Sequence, residues 1–108
     1  VNGAFVERRS ILTVLFCMIQ NAVEAMDAGG TLSIALSGNE VTITDTGRGI
    51  SEEAKKMLFK PFFTTSSKGT GLGLYITKLA MEHMGGEIFL DSKEGEGTKV
   101  RLVFKEHK

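Results

Sequence analysis

Three short segments carry residue types that a plain globular domain has little reason to place where they fall. The first is Asp45-Thr-Gly47-Arg-Gly49-Ile50. Val41, Ile43 and Asp45 share one register of a two-residue alternation, so the carboxylate points to the apolar side of its strand. A carboxylate there is costly unless hydrogen-bond donors meet it. The following turn is one source, because Asp-x-Gly is ordinary turn chemistry. The other is an amine on a bound ligand, a description that an adenine amino group fits, with Gly47 and Gly49 letting the ligand approach the backbone.

The second segment is Lys68-Gly69-Thr70-Gly71-Leu72-Gly73-Leu74. Alternating glycines lead into a helix start near Leu72. A helix N-terminus offers unpaired N–H groups and a partial positive charge, and glycines tolerate positive φ. Together they make a cradle for phosphate, to which Lys68 adds a cation. The spacing is neither that of the Walker loop nor that of the dinucleotide fingerprint. A flexible Gly/Ser loop is the plain alternative.

The third is on a helix. Ile11, Leu12, Leu15, Phe16, Ile19, Ala22, Val23 and Met26 recur at steps of three and four, a stripe centred near Leu15, Ile19 and Met26. Cys17, Asn21, Glu24 and Ala28 fall opposite, where short side chains replace the long charged ones that solvent favours and leave room for another group. The amide oxygen of Asn21 is a neutral ligand for a hard cation; an exposed helical Asn is the equal alternative.

The elements that must position these groups follow from the periodicity. A helix over 7–27 is stopped by Gly29-Gly30. Alternation then predicts a hairpin, with Leu32, Ile34 and Leu36 on one strand, Val41 and Ile43 on the next, and Ser37-Gly-Asn-Glu40 turning between them. Ser51 caps a short helix through Phe59, with Glu52 and Glu53 in its first turn and Pro61 ending it. Residues 62–71 cannot form a regular element. A third helix over 72–84 ends at Gly85-Gly86, and strands near 87–92 and 98–104 turn at Gly95-Glu-Gly97. Thr98 shares the inward register of Val100, Leu102 and Phe104, so its hydroxyl needs a buried partner. The fold class is α+β: a two-layer α/β sandwich whose mostly antiparallel, mixed sheet is covered on one face by three helices.

Composition narrows the function classes. The chain has 108 residues, one domain's worth, of which 42% are apolar and 24% charged. Thirteen basic residues balance thirteen acidic ones, which disfavours a nucleic-acid binder needing a basic stripe. The lone Cys17 makes no staple and fits a reducing, cytoplasmic setting. No apolar run is long enough to span a bilayer, and the first residues lack the basic flank of a signal peptide.

Read in order, the segments resemble the boxes of the Bergerat-fold ATPases, and specifically those of sensor histidine kinases. Gln20-Asn21-Ala22-Val-Glu-Ala-Met26 resembles the asparagine box and Asp45-Thr-Gly-Arg-Gly-Ile50 the first glycine box. Phe59-Lys-Pro-Phe-Phe-Thr-Thr65 resembles the phenylalanine box, Gly69-Thr-Gly-Leu-Gly-Leu74 the second glycine box, and Gly85-Gly-Glu-Ile88 with Gly97-Thr98 the closing strands. Each box alone is a weak signal; four in the right order over nearly the whole chain are a strong one.

The resemblance implies one ATP-binding catalytic domain over 1–108, its N-terminal edge trimmed and its phosphoacceptor domain absent. Asp45 would bond the adenine amine, with Thr98 supporting it through water, and Gly47, Gly49, Ile50 and Phe59 would border the nucleotide. Asn21 would hold Mg²⁺. Residues 62–71 would form a lid, with Lys68, Gly69, Thr70, Gly71, Leu72, Gly73 and Leu74 about the phosphates, and Asn21 and Lys68 would assist transfer. The implied reaction passes the γ-phosphoryl of Mg-ATP to a histidine on a separate dimerisation domain, and a response regulator follows it. This domain itself would make no direct membrane contact, whatever the attachment of the full-length protein. A nucleotide-sensing module without transfer and an anti-sigma-factor-type serine kinase are the alternatives. Cys17 departs from the family pattern of Asn, Glu or His at that place, and a thiol is a poor base and a poor Mg²⁺ ligand.

Overall fold

A computed structural model describes residues 3–26, 29–60 and 73–104, with the side chains of 3–8 left aside. Its elements are α1 (Gly3–Ala25), β1 (Leu32–Ser37), β2 (Glu40–Asp45), α2 (Glu52–Lys55), α3 (Gly73–His83), β3 (Glu87–Lys93) and β4 (Gly97–Val103). The four strands form one sheet in the order β1-β2-β4-β3. All three pairings are antiparallel, so among the described residues the sheet has no parallel pair that would make it mixed.

Alternation sets the inner face of the sheet. Val41 and Ile43 of β2 pair with Leu102 and Val100 of β4, and all four are buried. α1 packs on β2 and β4 and against α3, and α3 packs on β3. Val14, Met18, Ala22 and Met81 complete the core from the helices. The opposite face is polar: Arg101 stacks over Phe89, 4.4 Å from the ring centroid, and reaches Glu40 at 3.0 Å.

Several expectations need correction. The face of α1 that meets the core is Val14–Met18–Ala22 rather than one centred on Leu15, Ile19 and Met26; Leu12 and Phe16 are each 67% exposed. The helix is apolar around much of its circumference, and the sheet covers only one flank of that arc while α3 takes the side of Cys17 and Asn21. Ile34 and Leu36 keep their inward register but are exposed, because β1 is an edge strand with neither long helix above it. The second helix ends at Lys55 instead of Phe59. Beyond it the chain tightens into three-residue turns, Met57 N to Ala54 O at 2.9 Å and Lys60 N to Met57 O at 3.0 Å, which bury Leu58. The Ser51 cap is as expected, its hydroxyl accepting from Ala54 N at 3.1 Å. α1 also starts earlier, at Gly3, since no breaker stands between Gly3 and Glu7.

Candidate functional site

Among the described residues, the chain brings Asn21, Asp45, Gly47, Gly73 and Thr98 to one end of the sandwich. α1 runs toward that end and β2 finishes there. β4 starts there beside the last residues of β3, and α3, antiparallel to α1, begins there.

Asp45 is the last residue of β2 and is buried, with 7% exposure. One carboxylate oxygen, Oδ1, accepts from the Gly47 N–H at 2.8 Å. The other has no partner among the described residues. No sealed side-chain oxygen or nitrogen there lacks a partner, so this second oxygen opens to the surface instead of into the core. The two readings of Asp45 therefore divide between its oxygens: one caps the turn, and one is left for a donor from outside.

Thr98 lies directly across from Asp45 on β4, and Ser92 directly across from Thr98 on β3. The buried partner that Thr98 requires is the Ser92 hydroxyl, 2.7 Å away. Ser92 is itself 5% exposed and donates to the Gly97 carbonyl at 2.9 Å. Sequence reasoning missed Ser92, although the signal was present: Ile88, Leu90 and Ser92 alternate inward, and a polar residue ending that series parallels Asp45 and Thr98.

Gly47 and Gly49 have a cause within the protein. A Cβ on Gly47 would lie 2.7 Å from the Ala25 carbonyl carbon, at the end of α1. Gly49 has φ +70 and packs on the β3–β4 turn, where a Cβ would stand 2.8 Å from the Lys93 carbonyl carbon. The loop is fastened at both contacts, by Arg48 N to Ala25 O at 3.0 Å and Gly95 N to Arg48 O at 2.7 Å. Arg48 also donates through its guanidinium to Glu24 O at 3.0 Å. Both glycines thus serve close packing of the chain on itself, which holds Asp45 in place.

Asn21 lies one turn before Ala25 on α1. Its amide oxygen is 3.2 Å from where a Cβ on Gly73 would stand, so it borders the first turn of α3, where helix N–H groups lack intrahelical partners. One turn earlier on α1, Cys17 meets the buried Thr77, whose hydroxyl donates to Gly73 O at 2.8 Å. Burial pushes the Cys17 thiol up from its ordinary value, partly offset by its hydrogen bond with Thr77. Cys17 is therefore a neutral packing residue near neutral pH. The room expected on that side of α1 is partly filled by α3.

Of the other expected site residues, Leu74 packs against the core from α3 and Ile50 is half-buried. Phe59 lies under the Lys78 ammonium, 5.1 Å from its ring centroid, which ties the α2 segment to α3. Lys68, Gly69, Thr70, Gly71 and Leu72 lie outside the described residues, as do Phe62 and Phe63. Among the described residues no three His, Cys, Asp or Glu side chains gather to hold a metal.

The sequence profile of the histidine kinase-, DNA gyrase B- and HSP90-like ATPases matches residues 7–108. The chain belongs to that ATPase family. The match spans every site residue from Asn21 to Thr98. Within the family the similarity runs to sensor histidine kinases. Sporulation kinase A of Bacillus subtilis (strain 168) is 38% identical over 108 residues, which is 96% of this chain and 17% of that protein. The nucleotide-free catalytic domain of histidine kinase ThkA superposes with a TM-score of 0.75 at 35% identity, over 90% of this chain and 66% of that one. Full-length ShkA, solved in complex with AMPPNP, gives a TM-score of 0.67 at 27% identity, over 91% of this chain and 22% of that one. The chain thus spans about a fifth of the length of the curated relatives it matches, 17% and 20% in two of them. Its ATPase-family fold is that of a histidine kinase catalytic domain.

Proposed function

We propose that this domain binds Mg-ATP at the Asp45 end of the sandwich and donates the γ-phosphoryl group to a histidine on a separate helical phosphoacceptor domain. The observation that carries the reading is the second oxygen of Asp45, at the inner face of the sheet, without a partner among the described residues and open to the surface. A charged oxygen at the edge of the core can take a charge-assisted hydrogen bond from a ligand donor that displaces water, and the adenine amine is such a donor. Asn21 borders the first turn of α3, and on this reading that end would meet the phosphates; Lys68, Gly69, Thr70, Gly71 and Leu72 are proposed to join them there.

The donor set fits a magnesium ion that keeps most of its coordination from phosphate and water. Asn21 contributes one neutral oxygen, and no protein cage of acidic or imidazole ligands exists among the described residues. When bound, the ion neutralises phosphate charge. Phosphoryl transfer depends on positioning and charge neutralisation more than on covalent help from the protein, which suits a site where Cys17 is a neutral thiol. Any base comes from the domain that carries the histidine, and a response regulator would take the phosphoryl group next.

The same Cys17 favours a second reading, a nucleotide-sensing module that binds without transfer. Mixing the chain with a histidine-bearing helical domain and γ-labelled ATP separates the two. Acid-labile phosphate on the helical domain is the outcome expected; saturable ATP binding with no labelled histidine would leave the module.

A further inference from the structure

Asp45, Thr98 and Ser92 form one row across three strands at the site, and the direction of its hydrogen bonds can be worked out from proton counting. A hydroxyl has one proton and two lone pairs. Ser92 Oγ is 2.9 Å from the Gly97 carbonyl oxygen, which can only accept, so the serine proton lies on that contact. The 2.7 Å contact between Ser92 Oγ and Thr98 Oγ1 must then carry the threonine proton, with Thr98 donating and Ser92 accepting. Reversing the pair would take the serine proton away from Gly97, and the structure has no hydrogen bond from Thr98 to Asp45 that would replace the lost one. Thr98 consequently has no proton left for the pocket. Toward its neighbour Asp45 it presents lone pairs only, as the free Asp45 oxygen does.

We infer that Ser92 sets the hydrogen-bond polarity of the base site. By taking the Thr98 proton, it leaves two acceptors side by side, which suit an exocyclic amine with its two N–H donors and oppose a carbonyl oxygen in the same place. The site then discriminates a 6-amino purine from a 6-oxo purine through a buried residue that does not itself contact the base. This rests on the reading of Asp45 as the partner of the adenine amine and adds the reason the amine is selected. Ser92 is a positioning residue. A purely structural serine, fastening the β3–β4 turn through Gly97, would affect all nucleotides alike.

The test compares calorimetric affinities for Mg-ATP and Mg-ITP in the full chain, its Ser92→Ala and Thr98→Val variants, and the double variant. Wild type should prefer ATP. In Ser92→Ala the Thr98 hydroxyl is free to donate to a 6-oxo group, and the ATP-to-ITP ratio should narrow by roughly 2- to 12-fold, the worth of one net hydrogen bond. In the Thr98→Val background the Ser92 change should leave the ratio as it is. If Ser92→Ala does not fold, Ser92→Cys is read in the same way, because a thiol is of similar shape and a weak acceptor. An unchanged ratio in a folded Ser92 variant, or an equal change with Thr98 already removed, overturns the inference while leaving ATP recognition standing. No binding of Mg-ATP by the wild type would instead remove the nucleotide reading, and this inference with it.

Discussion

Replacing Gly47 with alanine separates two reasons for a glycine there, passage of a ligand and packing of the chain on itself. The added methyl would stand 2.7 Å from the carbonyl carbon of Ala25 and 2.8 Å from its Cβ. Both atoms are held by α1, so relief requires the Asp45–Gly49 loop to move outward. That movement stretches the bond from Arg48 N to Ala25 O, now 3.0 Å, and the one from Gly47 N to Asp45 Oδ1, now 2.8 Å. Overpacking costs about 1–3 kcal/mol and a loosened hydrogen bond about 0.5–1.5 kcal/mol, against about 0.4–1 kcal/mol gained from a stiffer unfolded chain. The net loss is about 0.5–4 kcal/mol, at its upper end a large share of the stability of a domain this small. Urea unfolding without nucleotide, followed by far-UV circular dichroism, should show a lower midpoint at unchanged slope. A wild-type midpoint with only nucleotide affinity reduced would refute the packing account and restore ligand passage as the reason for the glycine.

Two further predictions concern stability. Leu102→Ala, at a fully buried position, should cost about 2–5 kcal/mol, whereas Phe16→Ser, on the 67% exposed flank of α1, should stay within about 0.5 kcal/mol in the same unfolding assay; similar costs at the two sites would contradict the orientation of the helix. Because burial raises the Cys17 value in the folded chain, the native state holds that proton more tightly than the unfolded state does. Its contribution to stability is whole below the ordinary thiol range, about 8.5, and is lost as pH rises through the raised folded value. The melting temperature of wild type should therefore fall more steeply than that of Cys17→Ala above that range; parallel curves would show that the thiol is not desolvated.

Much of this was legible because turns and alternation are local. Gly38-Asn39 and Gly95-Glu-Gly97 mark the two hairpins, and the alternation of Val41, Ile43 and Asp45 gives the inward carboxylate that the structure also has. The orientation of α1 was not legible, because a helix apolar at Leu12, Phe16 and Val23 as well as Val14, Met18 and Ala22 does not reveal which flank meets the sheet. Only the position of α3 decides it, and that is a tertiary matter. The role of Gly47 and Gly49 was hidden for the same reason, since Ala25 and Lys93 approach them from distant parts of the sequence. Ser92 could have been found by extending the strand register one step past Leu90.

Substituting Asp45 by asparagine tests base recognition most directly. Asparagine keeps a carbonyl oxygen for the Gly47 N–H, so the turn retains its cap, but it turns the free oxygen into an N–H₂ donor. A hydrogen bond to a charged group is worth about 1.5–3 kcal/mol, which predicts Mg-ATP affinity weaker by roughly 10- to 150-fold in calorimetry on a protein of unchanged circular dichroism. Wild-type affinity in folded Asp45→Asn would contradict the account, because the purine would then be held by something other than this acid.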